Sequence, residues 1–192
     1  MILGITGGTG CGKTTLLNVI RDHGGLVLDC DAIYHELLTT DPSLLAAIEA
    51  RFPGTVENGA LQRKKLGAIV FNDPAALLDL NAITHAAIKA EVLRRLESAP
   101  RLAAIDAIAL FEAGLSPLCT MTVAVSSPIA ARVERLMTRD GISEEYAKNR
   151  IAAQPDESWF REKCDHILEN NGTQKQFQEK CIAFLQEFSI IE

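Results

Sequence analysis

The sequence predicts an α/β fold built on a mainly parallel sheet, and two observations carry that prediction. Short aliphatic runs without inward and outward alternation, the mark of strands covered on both faces, recur between segments whose apolar residues follow helical spacing. The first of these runs passes through a glycine-rich turn straight into a helical segment. Strands that alternate with helices imply parallel neighbours joined by right-handed crossovers.

Each element has its own signal. Ile2 to Thr6 is the first strand, and Leu16, Leu17 and Ile20 give the stretch from Lys13 to Arg21 a helical stripe. Leu26 to Leu28 is a second strand ending at Asp29-Cys30-Asp31, after which Ile33, Leu37 and Leu38 resume helical spacing. Asp41-Pro42 and Asp73-Pro74 each set a capping aspartate before a proline at the first helical position, so the middle third is expected to be mostly helical. Ile88, Val92 and Leu96 stripe a long helix ending near Pro100. Leu102 to Leu110 and Met121 to Val125 read as buried strands, and His166 to Leu168 as a weak last one. Ser127-Pro128 is expected to cap a helix with Val133 and Leu136 inward. Thr173 and Gln176 make a capping box for a final helix with Phe177, Cys181, Phe184, Leu185 and Phe188 on its core face. The helical stretches at about 32–99 and 139–163 read as insertions into a core of about 1–31, 100–138 and 164–192.

Composition narrows the function. With 192 residues and 47% hydrophobic content, the chain can bury a core of its own. Nineteen Lys and Arg against 25 Asp and Glu give a net charge of −6, with no footprint for non-specific binding to nucleic acid or an anionic membrane. The longest apolar stretch is broken by Asp106 and falls short of the roughly 20 residues of a membrane helix. Five scattered cysteines without C-x-x-C spacing suggest neither disulfides nor zinc, and a cytoplasmic protein is expected.

The strongest signal is Gly7-Gly8-Thr9-Gly10-Cys11-Gly12-Lys13-Thr14, which fits G-x-x-x-x-G-K-[ST] between a predicted strand and a predicted helix. In such a loop the backbone N–H groups converge on phosphate oxygens, the lysine reaches the outer phosphates and the hydroxyl of Thr14 ligates Mg²⁺. Switches, motors and kinases share the motif. None of the asparagines begins the N-K-x-D element that guanine specificity usually needs, and at this length a small-molecule kinase using ATP is favoured over a motor.

Ligands of open parallel sheets bind beyond the carboxyl ends of strands, which directs attention to Asp29, Asp31, Asp106 and Glu112. A kinase of alcohols needs a base for the hydroxyl proton, and Asp31 suits that role; its competing role is the N-cap of the helix starting near Ala32. Arg132, Arg135 and Arg139 share one helix face, with Arg139 the better candidate for the transferred group and the first two equally readable as a solvated basic face. Glu144 and Lys148 read as a surface pair. His85 shares a face with Leu78 and Val92, so packing competes with function there. Cys11, near a helix N-terminus, is a candidate for a lowered pKa and for oxidation.

Taken in order, the motifs resemble dephospho-CoA kinases over nearly the whole chain. They are Gly4 to Gly8 running into the phosphate loop, Asp29-Cys30-Asp31 for the family's D-A-D, and Leu66 to Pro74. Leu110-Phe111-Glu112, Arg135 to Gly141, Arg150 to Gln154 and Asn170-Asn171-Gly172 follow. The resemblance implies a nucleoside-monophosphate-kinase-like P-loop fold with a five-stranded parallel sheet, a helical insertion that binds the CoA portion, and a lid. It implies ATP with Mg²⁺ acting on the ribose 3′-hydroxyl of dephospho-CoA, by a monomer or weak homo-oligomer. It makes Asp31, Lys13 and Arg139 catalytic and places ATP on Gly8, Thr9, Gly10, Cys11, Gly12, Lys13, Thr14, Thr15 and Asn171, with the metal at Thr14. The acceptor falls to Asp31, His85, Leu110, Phe111, Glu112, Arg150 and Gln154. The sequence departs from the family at Ala86 and Ala109, both usually proline, at Cys30 for alanine, and at His35, where many members have arginine. Two other readings of the loop and acidic residues are a kinase of another nucleoside-like alcohol and a non-catalytic nucleotide sensor; a sensor needs neither a base nor a lid arginine.

Overall fold

A computed structural model describes residues 1–191. Seven strands and nine α-helices follow one another among these residues. The main sheet has five strands in the order β2 (Leu26–Asp29), β5 (Ala103–Asp106), β1 (Ile2–Thr6), β6 (Met121–Ser126), β7 (His166–Glu169). β1 lies centrally and pairs in parallel with β5 and β6, and β6 pairs in parallel with β7.

Two compact units divide the chain. The first comprises Met1–Leu28, Ala99–Leu110 and the chain from Ser116 onward; the second comprises Asp29–Ser98 and Phe111–Leu115. In the first, Leu3, Ile5, Val123 and Val125 of the sheet pack with Leu16 and Ile20 of α1 (Lys13–Asp22) and with Phe177, Cys181 and Leu185 of α9 (Gln174–Glu187), all nearly devoid of exposed surface. Thr173 and Gln176 form the reciprocal capping box that starts α9. Val133 and Leu136 of α6 (Ile129–Asp140) pack against Ala147 and Ile151 of α7 (Glu144–Ala152), and α8 (Glu157–Lys163) precedes β7.

The second unit is helical: α2 (Cys30–Thr40), α3 (Pro42–Arg51), α4 (Arg63–Val70) and α5 (Pro74–Leu96). Asp41 and Asp73 cap α3 and α5, each ahead of its proline, as the sequence predicts. Between α3 and α4 a short antiparallel hairpin, β3 (Val56–Glu57) and β4 (Ala60–Leu61), turns on Asn58-Gly59. Both turn residues have positive φ, 51° and 73°, so this Asn-Gly pair is the hairpin signal that a purely helical reading of the middle third overlooks.

Three local expectations change. The strand predicted over Leu102 to Leu110 stops at Asp106, where the neighbouring β1 ends at Thr6; the last backbone link to β1 is the Ala107 N–H to the Ile5 carbonyl at 3.1 Å. Ser127 does not cap α6. That helix has Pro128 at its N-cap without a side-chain bond, and the Ser127 hydroxyl donates to the Asn170 carbonyl at 2.8 Å. Leu78, expected inward on α5, is 69% exposed, whereas Val92 is fully buried.

Candidate active site

The phosphate loop joins β1 to α1 inside the first unit, and its architecture leaves donors free for an anion. Gly12, at the N-cap of α1 with φ 99°, offers no side-chain bond to the first-turn N–H groups, which such a helix end otherwise satisfies with a ligand. Glycine is required there, since a Cβ would run into the Asn170 side chain. The Lys13 ammonium folds over the loop and donates to the Gly7 carbonyl at 3.0 Å, while Thr14 is exposed in the first turn of α1.

The loop's carbonyls, which must turn away from a phosphate for the N–H groups to face it, are held from behind. Arg135 donates through Nη1 to Gly10 O at 3.0 Å, to Cys11 O at 3.4 Å and to the Ser127 hydroxyl at 2.9 Å. Asn170, almost fully buried just past β7, donates through Nδ2 to Cys11 O at 2.9 Å. Arg132 donates through Nε to Thr9 O at 2.9 Å, and its guanidinium lies where a side chain on Gly8 would sit. Gln154 completes the ring, its Oε1 accepting from the Thr9 N–H at 2.7 Å and from Arg132 at 3.4 Å. Asp106 ends β5 opposite Ile5 in register, close enough for its charge to act on Cys11.

The basic face of α6 is therefore not a solvated one over its first turns. Arg132 and Arg135 are partly buried on the loop, and burial lowers the pKa of Arg132. Arg139 is the exposed member: its Nε donates to Asp140 at 2.7 Å, and Arg150 donates to the same carboxylate at 2.7 Å. Arg139, above all, and Arg150 hold the Asp140 pKa at about 2. Cys11 corrects another expectation. It is almost fully buried, and burial outweighs the charge and backbone N–H of Lys13 and pushes its thiol up, the reverse of the lowered pKa expected.

Asn171, expected at the nucleotide, is exposed and donates to Glu169, while its neighbour Asn170 is the one that reaches the loop. Its position at the carboxyl end of a strand, where ligands gather, was the available signal. Leu110 has no exposed surface and packs beside Gly4, which leaves it no face for an acceptor. Gln154, expected on the acceptor, lies on the phosphate loop instead.

In the second unit the N-cap of α2 is Asp29, whose carboxylate accepts from the Ala32 N–H at 3.0 Å. Asp31 is thus released from capping and stands exposed in the first turn. His85 is partly buried; burial lowers its pKa, against a backbone hydrogen bond and the charge of Glu112. Phe111 is partly exposed and Glu112 exposed.

Residues 1–176 match the model of the dephospho-CoA kinase family. A dephospho-CoA kinase of Syntrophotalea carbinolica is 35% identical over 192 residues, spanning 96% of this chain and 90% of its own. That of Geobacillus kaustophilus is 32% identical and spans 100% and 98%. Among solved structures, TT1252 of Thermus thermophilus aligns over 98% of both chains with a TM-score of 0.82 at 32% identity. The dephospho-CoA kinase of Campylobacter jejuni aligns over 98% and 96% with a TM-score of 0.70 at 27% identity. With a phosphate loop seated between β1 and α1 and a likeness running the length of the sequence, the chain belongs to the dephospho-CoA kinase family.

Proposed function

We propose that the protein transfers the γ-phosphoryl group of ATP to the ribose 3′-hydroxyl of dephospho-CoA, giving coenzyme A and ADP, the last step of coenzyme A synthesis. The reading rests chiefly on the phosphate loop, with its carbonyls held back and its helix end uncapped, in a chain of this family. In the reaction the 3′-oxygen bonds to the γ-phosphorus as the bond to the bridging oxygen of ADP breaks. Asp31 takes the hydroxyl proton, a role favoured by its exposure and by Asp29 acting as the cap. Lys13 and the loop from Gly8 to Thr15, through those of its N–H groups that no protein acceptor takes, hold the phosphates and offset the charge that spreads over the transferred group.

The residues fit Mg²⁺. Thr14 presents an exposed hydroxyl in the first turn of α1, and Asp106 carries a carboxylate at the end of β5 in the same unit. That suits an ion held by one or two side chains, phosphate oxygens and water. When bound, the ion supplies positive charge to the β- and γ-phosphates.

Residues 32–99 act as the acceptor-binding insertion, with His85, Phe111, Glu112 and Arg150 toward the acceptor, and 139–163 as a lid that carries Arg139 to the phosphates and exchanges its Asp140 contact for them. Asn171 lies toward the nucleotide. The protein works in the cytoplasm on small molecules, as a monomer or weak homo-oligomer, with no nucleic-acid or membrane partner; no helix among the described residues is long and apolar enough to cross a membrane. The test is ADP formation from Mg·ATP with dephospho-CoA, with the product's mass checked for coenzyme A. ATP binding without acceptor-dependent turnover makes the protein a sensor and overturns the proposal; a preference for adenosine or AMP makes it a different kinase.

A further inference from the structure

Within the second unit, three side chains from two helices converge one helical turn from Asp31. Tyr34 and His35 follow Asp31 on α2 at i+3 and i+4, so they share its face, with Cβ atoms about 5–6 Å apart. Arg63, the first residue of α4, brings its Nη2 to 3.2 Å from Nδ1 of His35. A guanidinium only donates, so this Nδ1 accepts, and the ring proton sits on Nε2 as a second donor. The rings of Tyr34 and His35 lie 5.7 Å apart, and the Arg63 charge acts on the Tyr34 hydroxyl.

The Arg63–His35 bond ties α4 to α2, but it leaves the positive charge of this cluster without a counter-ion among the described residues. Arg63, Lys64 and Lys65 occupy the first turn of α4, where the positive end of the helix disfavours cations. Lys65 is paired with Glu57, Arg95 with Glu36 and Glu91, and Arg51 with Asp79. Arg63 and Lys64, both exposed, have no ion pair among the described residues, and Gln62 provides no side-chain cap to the helix. Two unneutralised cations therefore stand at an uncapped helix start, beside a histidine that presents a donor.

We infer that Arg63, with Lys64 and His35, forms the subsite for the 5′-diphosphate of the acceptor nucleotide. This rests on the proposed function, in which Asp31 receives the 3′-hydroxyl proton. The 3′-oxygen of a ribose and its own 5′-phosphate are only a few bonds apart, a span that one turn of α2 matches. A nucleotide whose 3′-hydroxyl meets Asp31 then sets its 5′-phosphates at Arg63, whose planar fork suits them in a bidentate way. The subsite selects for acceptors that carry a 5′-phosphate and orients the ribose for transfer.

The experiment is calorimetric titration of the full chain, without ATP, by dephospho-CoA and in parallel by adenosine, alongside steady-state kinetics. In Arg63→Gln, dephospho-CoA binding is expected to weaken about 10- to 100-fold and adenosine binding to change less than about threefold, since only the charge-assisted phosphate contact is lost. KM for dephospho-CoA should rise while KM for ATP holds. Lys65→Gln removes an equal charge from the same turn, already paired with Glu57, and should leave both affinities nearly unchanged. Equal loss in Arg63→Gln and Lys65→Gln, or loss shared by adenosine, overturns the subsite. Binding that depends on Arg63 without any turnover sustains the subsite and rejects the reaction; absence of dephospho-CoA binding to the unsubstituted chain rejects both.

Discussion

The two units treat their charged groups in opposite ways. Around the phosphate loop, Arg132, Arg135, Gln154 and Asn170 are partly or fully buried, and each bonds a loop carbonyl or, for Gln154, a loop N–H. In the helical unit, Asp31, Arg63 and Lys64 are exposed, and the ion pairs lie elsewhere. The contrast follows from the ligands. A triphosphate is the same in every turnover and rewards rigid, pre-aimed donors, whereas the acceptor's reacting hydroxyl needs a base that is free to take a proton. The loop is thus built in advance, and in the proposed reaction the exposed groups of the helical unit take their partners from the substrate.

The largest expected effect lies on the exposed side. Asp31→Asn should lower kcat by roughly 10²- to 10⁴-fold, the usual weight of a positioned base, with ATP binding nearly intact. Titration with ATP and single-turnover rates check both halves; near-normal turnover would remove Asp31 as the base. Because Asp29 carries the cap, the helix should not unfold with the substitution, and an unchanged circular dichroism spectrum separates chemistry from structure.

A smaller effect is expected from the built side. Asn170→Ala deletes the buried bond to Cys11 O and should cost about 1–2 kcal/mol of stability, read as a lowered Tm. It should also raise KM for ATP about tenfold by loosening the loop, with KM for the acceptor unmoved. Asn171→Ala, one residue away on the surface, is the control expected to leave Tm alone. A Tm loss without any change in KM for ATP would reduce Asn170 to a packing residue.

The same contrast explains what the sequence discloses. The sheet strands β1, β2, β6 and β7, the capped helices and the phosphate loop follow from local chemistry: aliphatic runs, Asp-Pro starts, and a glycine motif whose spacing has few other uses. What stayed hidden was tertiary. The end of β5 depends on where β1 stops, and no residue within Leu102 to Leu110 records that. Asn170 against Asn171, and buried Arg132 and Arg135 against exposed Arg139, are decided by which side chain faces the loop. For Asp31 the choice between cap and base turns on a helix start two residues earlier than expected; the Asp29 cap removes capping and leaves the base role to the kinetics above.

His85 gives a pH-dependent way to sharpen the comparison. Its folded pKa lies below the ordinary 6.5, first because burial disfavours the imidazolium, with the Glu112 backbone and charge opposing. The unfolded chain therefore binds the proton more readily, and stability is full above the unfolded value and declines as pH falls through 6.5 toward the folded one. The group is only partly buried, so the decline should be shallow. Thermal melts from pH 8 to 5 should show it, and His85→Gln should flatten that part of the curve; identical slopes in the two proteins would place the titration elsewhere.

The smallest effect is expected where a pair touches neither half of the reaction. Lys148 and Glu144 form an i, i+4 contact of 2.5 Å on α7 with both side chains about 60% exposed. Lys148 lowers the Glu144 pKa through its hydrogen bond and then its charge, which is a statement about proximity more than about stability. Holding two long, solvated side chains in one geometry costs entropy that offsets the attraction, and salt screens what remains. Lys148→Ala should therefore leave Tm and both KM values unchanged. A measurable rise in KM for ATP would mean that the α7 surface meets the nucleotide, as the proposed lid closure would bring about, and would move this face from the scaffold to the site.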